Sequence, residues 1–229
     1  MKNDRFVPES ESELRAAVPI AVIRRLPRYY RYLRELIRQG KTRISSADLS
    51  RIMHVTASQI RQDLNYFGGF GQQGYGYNVN YLYAKICELL GVGEGYRAIV
   101  LGAGNLGRAL VRSPMFERRG VDVIAMFDID PAVIGTKIAD IPVYGSDTLG
   151  EFCRENQVDI AVLTLPKDSA DEMVARSLEY GIEAIWNFTG VEYNVDPTKA
   201  IIEEIHLGDS LMTMCYELRE LRRKAKEGK

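Results

Sequence analysis

A strand breaking into a glycine turn and a helix at Ala98–Gly107, a regular alternation of strands and helices behind it, and a basic run of short amphipathic helices ahead of it predict an α/β chain in two parts. The expected divisions are a loose leader over 1–17, a helical domain over 18–90, a glycine-rich linker over 91–97, an α/β domain over 98–206 and a C-terminal helix over 207–229. With 229 residues, 46% of them hydrophobic, there is material for two cores.

The formal net charge of −1 hides an uneven distribution. Between Arg15 and Lys85 stand 12 Lys and Arg against 3 acids (Glu35, Asp48, Asp63), a surplus of about +9 that leaves the rest near −10. Such asymmetry points to a polyanionic partner for the first half. No apolar run approaches the ~18 residues of a membrane span, and Met1–Leu14 is polar and acid-rich, unlike a signal peptide. A cytoplasmic protein with no membrane partner is expected. Cys87, Cys153 and Cys215 have unrelated spacings inside apolar patterns, which suits reduced packing residues better than redox switches.

Ordered structure is expected from Pro19. Over Ile20–Arg38, Leu26, Tyr29 or Tyr30, Leu33, Leu36 and Ile37 recur at helical spacing, Pro27 suits a first turn, and Arg24, Arg25, Arg28, Arg31, Arg34 and Arg38 decorate a helix that Gly40 ends. A short helix then runs from the serines at 45 and 46 to Met53, with Leu49, Ile52 and Met53 on one face. After the turn at His54-Val55, Thr56 caps a second helix over Ala57–Phe67. Its Ile60, Leu64 and Phe67 face inward, while Ser58, Gln59, Arg61, Gln62 and Asn65 face out. Two short helices across a tight turn, the second polar on its free face, form a helix-turn-helix whose Gln, Arg and Ser side chains suit base edges and phosphates. Gly68–Asn78 alternates glycines with Phe70, Tyr75 and Tyr77, the composition of a hairpin pinned to the domain, here the wing of a winged helix; a flexible hinge is the alternative. Val79–Leu90 is a further amphipathic helix.

In the turn at Gly102-Ala103-Gly104-Asn105-Leu106-Gly107, the first glycine permits the tight bend, the second lets a pyrophosphate approach the backbone, and the third lets helix pack on strand. Strand Val121–Phe127 ends in Asp128, 21 residues past Gly107. An acid there suits the ribose diol of NAD and repels the 2′-phosphate of NADP. Further on come a turn at Asp130-Pro131, a short strand or loop at Ile141–Tyr144, helix Leu149–Asn156, strand Ile160–Leu165, helix Ser169–Glu179 and strand Glu183–Asn187. Thr164, Pro166 and Asn187 fall at carboxyl strand ends, where open α/β sheets bind ligand. The order of the strands is not readable. Leu207, Leu211, Met214 or Cys215, Leu218 and Leu221 make an apolar stripe on the last helix, for which a partner subunit and its own core are equally good partners.

These residues together closely resemble the Rex redox-sensing transcriptional repressors of bacteria, from Pro19 onward. The resemblance is carried by Arg25-Leu26-Pro27-Arg28-Tyr29-Tyr30, Ser45-Ser46-Ala47-Asp48-Leu49, Gln59–Gly68, Gly74-Tyr75-Gly76-Tyr77, the turn at Gly102–Gly107, Phe127–Pro131 and Trp186-Asn187-Phe188. It implies a homodimer that binds a palindromic double-stranded DNA operator through paired winged-helix domains, holds NAD(H) in Rossmann-like domains, releases DNA when NADH is high, and exchanges its C-terminal helix between subunits. The expected DNA contacts are Ser46, Ser58, Gln59, Arg61, Gln62, Tyr66, Gln72 and Gln73. The expected cofactor contacts are Gly102, Ala103, Gly104, Asn105, Leu106, Gly107, Asp128, Asp130, Thr164, Pro166 and Asn187.

Several positions depart from the family pattern. Gln62 and Gln73 stand in place of basic residues, Ser113 in place of a tyrosine near the cofactor, His206 in place of an aspartate, and Gly190 in place of a proline. Ser113 is too short to stack on a nicotinamide and His206 carries no fixed negative charge, so weaker discrimination of NADH from NAD is expected. No catalytic residue and no metal site is expected. His206 is the one histidine of the second half and lacks an acid-partner pattern in sequence, which argues against an NAD-dependent oxidoreductase; no cysteine cluster accompanies His54. A CoA-binding domain of the acyl-CoA ligase type is the third reading of the α/β half.

Overall fold

The computed structural model describes residues 18–66, 71–72 and 76–227, with backbone alone at 71–72. The leader, Phe67, Phe70, Gln73 and Tyr75 lie outside the described residues. The chain divides into two compact units between Val92 and Gly93. Among the described residues, no helix is long and apolar enough to cross a membrane.

In the N-terminal unit, what reads as one helix from Ile20 is two: α1 (Ile20–Ile23) and α2 (Leu26–Arg38). Pro27 lies in the first turn of α2, where its missing N–H costs nothing. Leu26, Tyr29, Tyr30, Leu33 and Leu36 of α2 are all buried, so both tyrosines belong to the core. After β1 (Arg43–Ile44) comes α3 (Ser46–Met53), with the Ser45 hydroxyl accepting from the Asp48 N–H at 3.0 Å. Its end is the left-handed His54, φ 51°. Thr56 accepts from the Gln59 N–H at 3.2 Å and opens α4 (Ala57–Asn65). β2 (Gly71–Gln72) and β3 (Gly76–Asn78) pair antiparallel, and β3 pairs with β1 in the order β1-β3-β2. Gly76 is required in this sheet: its φ is +70°, and a Cβ would stand 2.6 Å from the Ile44 carbonyl oxygen. α5 (Val79–Leu89) closes the core with Val79, Leu82 and Ile86.

The C-terminal unit is a seven-stranded sheet of β4 (Tyr96–Leu101), β5 (Val121–Asp128), β6 (Lys137–Ile138), β7 (Ile141–Gly145), β8 (Ile160–Leu163), β9 (Ala184–Asn187) and β10 (Ile201–Glu204), in the order β10-β9-β8-β4-β5-β7-β6. All neighbours pair parallel except β6, which folds back antiparallel on β7. The chain starts in the middle, builds outward one way and then the other. The crevice beside the end of β4 is therefore the switch point of a doubly wound sheet. Ile99 and Leu101 pack on one face and Val100 on the other, the period of two that a sheet covered on both sides requires. The remaining helices are α6 (Asn105–Arg112), α7 (Leu149–Glu155), α8 (Lys167–Glu179) and α9 (Leu207–Glu227). β6 and β10 are additions to the expected elements. α9 buries none of its residues within the chain: Leu207, Leu211, Met214, Leu218 and Leu221 are all exposed. Cys87 and Cys153 pack against the two cores as expected, whereas Cys215 is exposed on α9 and is no packing residue within the chain.

Candidate functional sites

The turn after β4 is organised by contacts rather than by sequence spacing alone. Gly102 has φ +102°, and a Cβ there would meet the Thr164 carbonyl oxygen at 2.8 Å. A Cβ on Gly107 would lie 2.1 Å from the Gly102 carbonyl oxygen. Gly104, by contrast, faces open space and sits at the N-terminus of α6, where a phosphate can reach backbone N–H groups. Asp128 at the end of β5 accepts from the Ala103 N–H through Oδ2 at 2.6 Å and from the Ile129 and Asp130 N–H groups through Oδ1 at 2.8 and 2.9 Å. One carboxylate thus fixes the turn and stands, partly exposed, beside it. Arg108, which sequence spacing did not single out, donates from Nε to the Ala103 carbonyl at 2.6 Å and brings a guanidinium beside the glycine turn.

The other expected cofactor residues take different places. Thr164 donates to the Leu101 and Gly102 carbonyls at 3.1 and 2.9 Å, clamping β8 to the turn. Asp130 caps its own turn, accepting from the Ala132 N–H. Pro166 is exposed ahead of α8. Asn187 is buried, and its amide is used within the loop after β9: Nδ2 donates to the Val191 carbonyl and Oδ1 accepts from the Thr189 N–H and hydroxyl.

In the N-terminal unit the free face of α4 holds Ser58, Arg61, Gln62 and Asn65, all exposed. Arg61 donates to the Ser46 hydroxyl at 3.2 Å, so the second helix and the first turn of α3 present their polar groups together. Gln59 is not on that face. It is half-buried and donates to Asp63 Oδ1 at 2.9 Å, one turn along the same helix. Tyr66 packs against the core, and of Gln72 only the strand position is described.

Asp63 is the residue the sequence hid. It is fully buried, and besides Gln59 it accepts from Arg25 at 2.6 and 2.8 Å and from the Tyr29 hydroxyl at 3.0 Å. Burial alone would push its carboxyl up; the hydrogen bonds from Arg25, Gln59 and Tyr29 and the Arg25 charge reverse this and hold it below the ordinary carboxylate value. Burial, followed by the nearby Asp63, drives the Tyr29 hydroxyl far up. Arg25, one of six arginines that read as decoration, is a bidentate anchor for α4. The available signal was an acid on the buried stripe of Ile60 and Leu64.

Residues 17–65 match the family described as putative DNA-binding protein N-terminus, and residues 94–191 match the CoA binding domain. The redox-sensing transcriptional repressor Rex of Thermoanaerobacter sp. (strain X514) is 50% identical over 203 residues, 89% of this chain and 90% of that one. The chain belongs to the Rex family of redox-sensing transcriptional repressors. Two solved structures are similar to this Rex-family chain. RSP in complex with beta-NADH has a TM-score of 0.83 and 46% identity, covering 92% of this chain and 98% of that one. RSP in complex with beta-NAD+ and operator DNA has a TM-score of 0.83 and 50% identity, covering 92% and 97%. Gly190 and His206, two positions set apart by the resemblance, take definite places in the structure. Gly190 has φ +73°, a backbone conformation that a proline cannot adopt. His206 precedes α9 with its Nε2 3.9 Å from Glu192 and 3.8 Å from Glu204.

Proposed function

We infer that this chain is a DNA-binding transcriptional repressor, active as a homodimer on a palindromic operator, whose hold on DNA responds to the ratio of NADH to NAD+. The observation that carries this is the near full-length likeness to RSP, which has been solved with both beta-NADH and beta-NAD+ with operator DNA.

Each part of the structure has a role in that reading. Ser46, Ser58, Arg61 and Gln62 meet the operator in the major groove, with Tyr66, Gln72 and Gln73 alongside, and Gln59 acts through Asp63 to set the pitch of α4. Gly102–Gly107 and Arg108 take the pyrophosphate, and Asp128 takes the ribose diol with Asp130 beside it. Thr164, Pro166 and Asn187 shape the nicotinamide end through the loops after β8 and β9. The exposed stripe of α9 is covered by a second copy, whose two-fold axis matches the two half-sites. The CoA binding match favours one rival ligand, but the 3′-phosphate on the ribose of CoA would meet the Asp128 carboxylate. The chain acts as a regulator rather than an enzyme, in keeping with its repressor relatives; the carboxylates of Glu192 and Glu204 beside His206 are acid partners that the sequence pattern did not show, so the histidine itself does not decide the matter.

The test is an operator duplex selected from a random pool, titrated at fixed protein with NADH, NAD+ or CoA. NADH releases the duplex and CoA does not. With Ser113 and His206 in place, discrimination of NADH over NAD+ is below about tenfold, or ~1.4 kcal/mol, and Ser113→Tyr with His206→Asp widens it. Release by CoA, or no selectable duplex, overturns the reading. Sharp release by NADH with NAD+ inert overturns only the role given to these two positions.

A further inference from the structure

Glu192, Glu204 and His206 arrive from three segments: the loop after β9, the last residue of β10, and the residue before α9. One ligating atom from each lies within 4.8 Å of the others. Among the described residues, the ion pairs of both glutamates are with His206 alone. Two carboxylates converging on one imidazole carry more negative charge than that imidazole can offset even when protonated, and a cation between them resolves the repulsion.

One of the three side chains is already held, and the backbone leading to a second is fixed. The Oε1 of Glu204 accepts from the Tyr193 N–H at 2.6 Å, which leaves Oε2 toward His206. The Tyr193 hydroxyl donates to Asp171 at 2.8 Å and ties that loop to α8. The Ile205 N–H donates to the Asn187 carbonyl at 2.8 Å, so the chain between Glu204 and His206 continues the β9–β10 ladder. The Glu204 and His206 side chains are 21% and 34% exposed, and Glu192, at 82%, is free to swing in. A tetrahedral ion bonded at 2.0–2.2 Å would have its ligand atoms about 3.4 Å apart; the two His206–glutamate separations of 3.9 and 3.8 Å need to close by a few tenths of an ångström, and the two carboxylates, within 4.8 Å of each other, close as the exposed Glu192 swings in.

We propose that Glu192, Glu204 and His206 form a divalent-cation site at the root of the C-terminal helix. One imidazole with two carboxylates suits zinc and its borderline neighbours and does not suit magnesium, which avoids nitrogen ligands. Three protein ligands leave a fourth position for water. The ion joins the loop after β9, the end of β10 and the start of α9, and fixes the point from which α9 departs. Sequence spacing could not show it, because Glu192 reaches the others only through the fold.

The experiment uses the full chain stripped with a chelator and titrated with zinc alone against a chromophoric zinc indicator, then with magnesium alone. One zinc per chain binds and raises the melting temperature, and magnesium does neither. His206→Gln and Glu204→Gln each weaken zinc binding by tenfold or more, and Glu192→Gln, which is surface-exposed and leaves the fold intact, abolishes the zinc-dependent rise in melting temperature. Replacing Cys87, Cys153 and Cys215 together by serine leaves the binding unchanged. The proposal is overturned if zinc does not saturate at one per chain, if Glu192→Gln and His206→Gln bind as the parent does, or if binding disappears with the cysteines. The first two outcomes would leave a surface ion pair only. Since the readout is metal binding and melting, it stands apart from any result with DNA or NADH.

Discussion

In the N-terminal unit the helix α4 is held by side chains: the buried Asp63 gathers Arg25 from the cap of α2, Tyr29 from α2 and Gln59 from α4 itself. In the C-terminal unit the dinucleotide turn is tied to its neighbours by Asp128 and Thr164, but its shape depends on side chains that are absent, with Gly102 and Gly107 packed where a Cβ has no room. The first arrangement fails when a charge loses its partner. The second fails when a methyl group is added. A nucleic acid is read by protruding side chains that need a rigid base, whereas a pyrophosphate is bound by N–H groups that need to be uncovered.

The largest expected effect comes from breaking the charge cluster. Arg25→Ala leaves a buried, unpaired carboxylate and should destabilise the N-terminal unit by about 3 kcal/mol, the low end of the ~3–5 for such breaks because Arg25 is one-third exposed. Urea unfolding followed in that unit measures it. The folded Asp63 carboxyl lies below its ordinary value, so its stabilisation is full above about pH 4 and is lost as pH falls through the lower folded value. Asp63→Asn should therefore flatten the acid limb of the unit's stability profile; an unchanged acid limb would show that the carboxylate contributes nothing.

Next in size is Gly107→Ala, which drives a Cβ against the Gly102 carbonyl and forces the turn apart. A loss of about a hundredfold in NADH affinity is expected, ~2.7 kcal/mol, with DNA binding in the absence of nucleotide retained. Isothermal titration with NADH decides it, and Gly104→Ala, facing open space, separates the two glycine roles: it should keep the fold and still weaken the pyrophosphate contact. The smallest effect is Arg61→Ala, at roughly 1–3 kcal/mol of base discrimination and no change in NADH affinity. Equal loss on operator and random duplex would make Arg61 a phosphate contact and move it to the backbone side of the comparison.

How legible each site was follows the same division. Glycine spacing, the Ser45 and Thr56 caps and the acid after β5 are local signals, and the turn, the helix-turn-helix and Asp128 could be read from them. The Arg25–Asp63 pair spans 38 residues, and nothing near Arg25 distinguishes it from the five arginines around it. Gln59 looked outward because helical periodicity does not show a hydrogen bond to the residue one turn on. Strand order is a long-range property that alternation cannot encode. β6 is only two residues long, and β10, Ile-Ile-Glu-Glu, has neither alternation nor a continuous apolar run.

The two margins of the large sheet bear on aggregation. At one margin β6 is a two-residue antiparallel stub, and at the other β10 ends in consecutive glutamates. A second chain trying to extend the sheet meets too little backbone on one side and negative charge on the other. With both margins blunted, the long apolar stripe on α9 lies on a separate element from the sheet edges among the described residues. At the concentrations of overexpression the protein should remain a discrete species instead of growing into fibres.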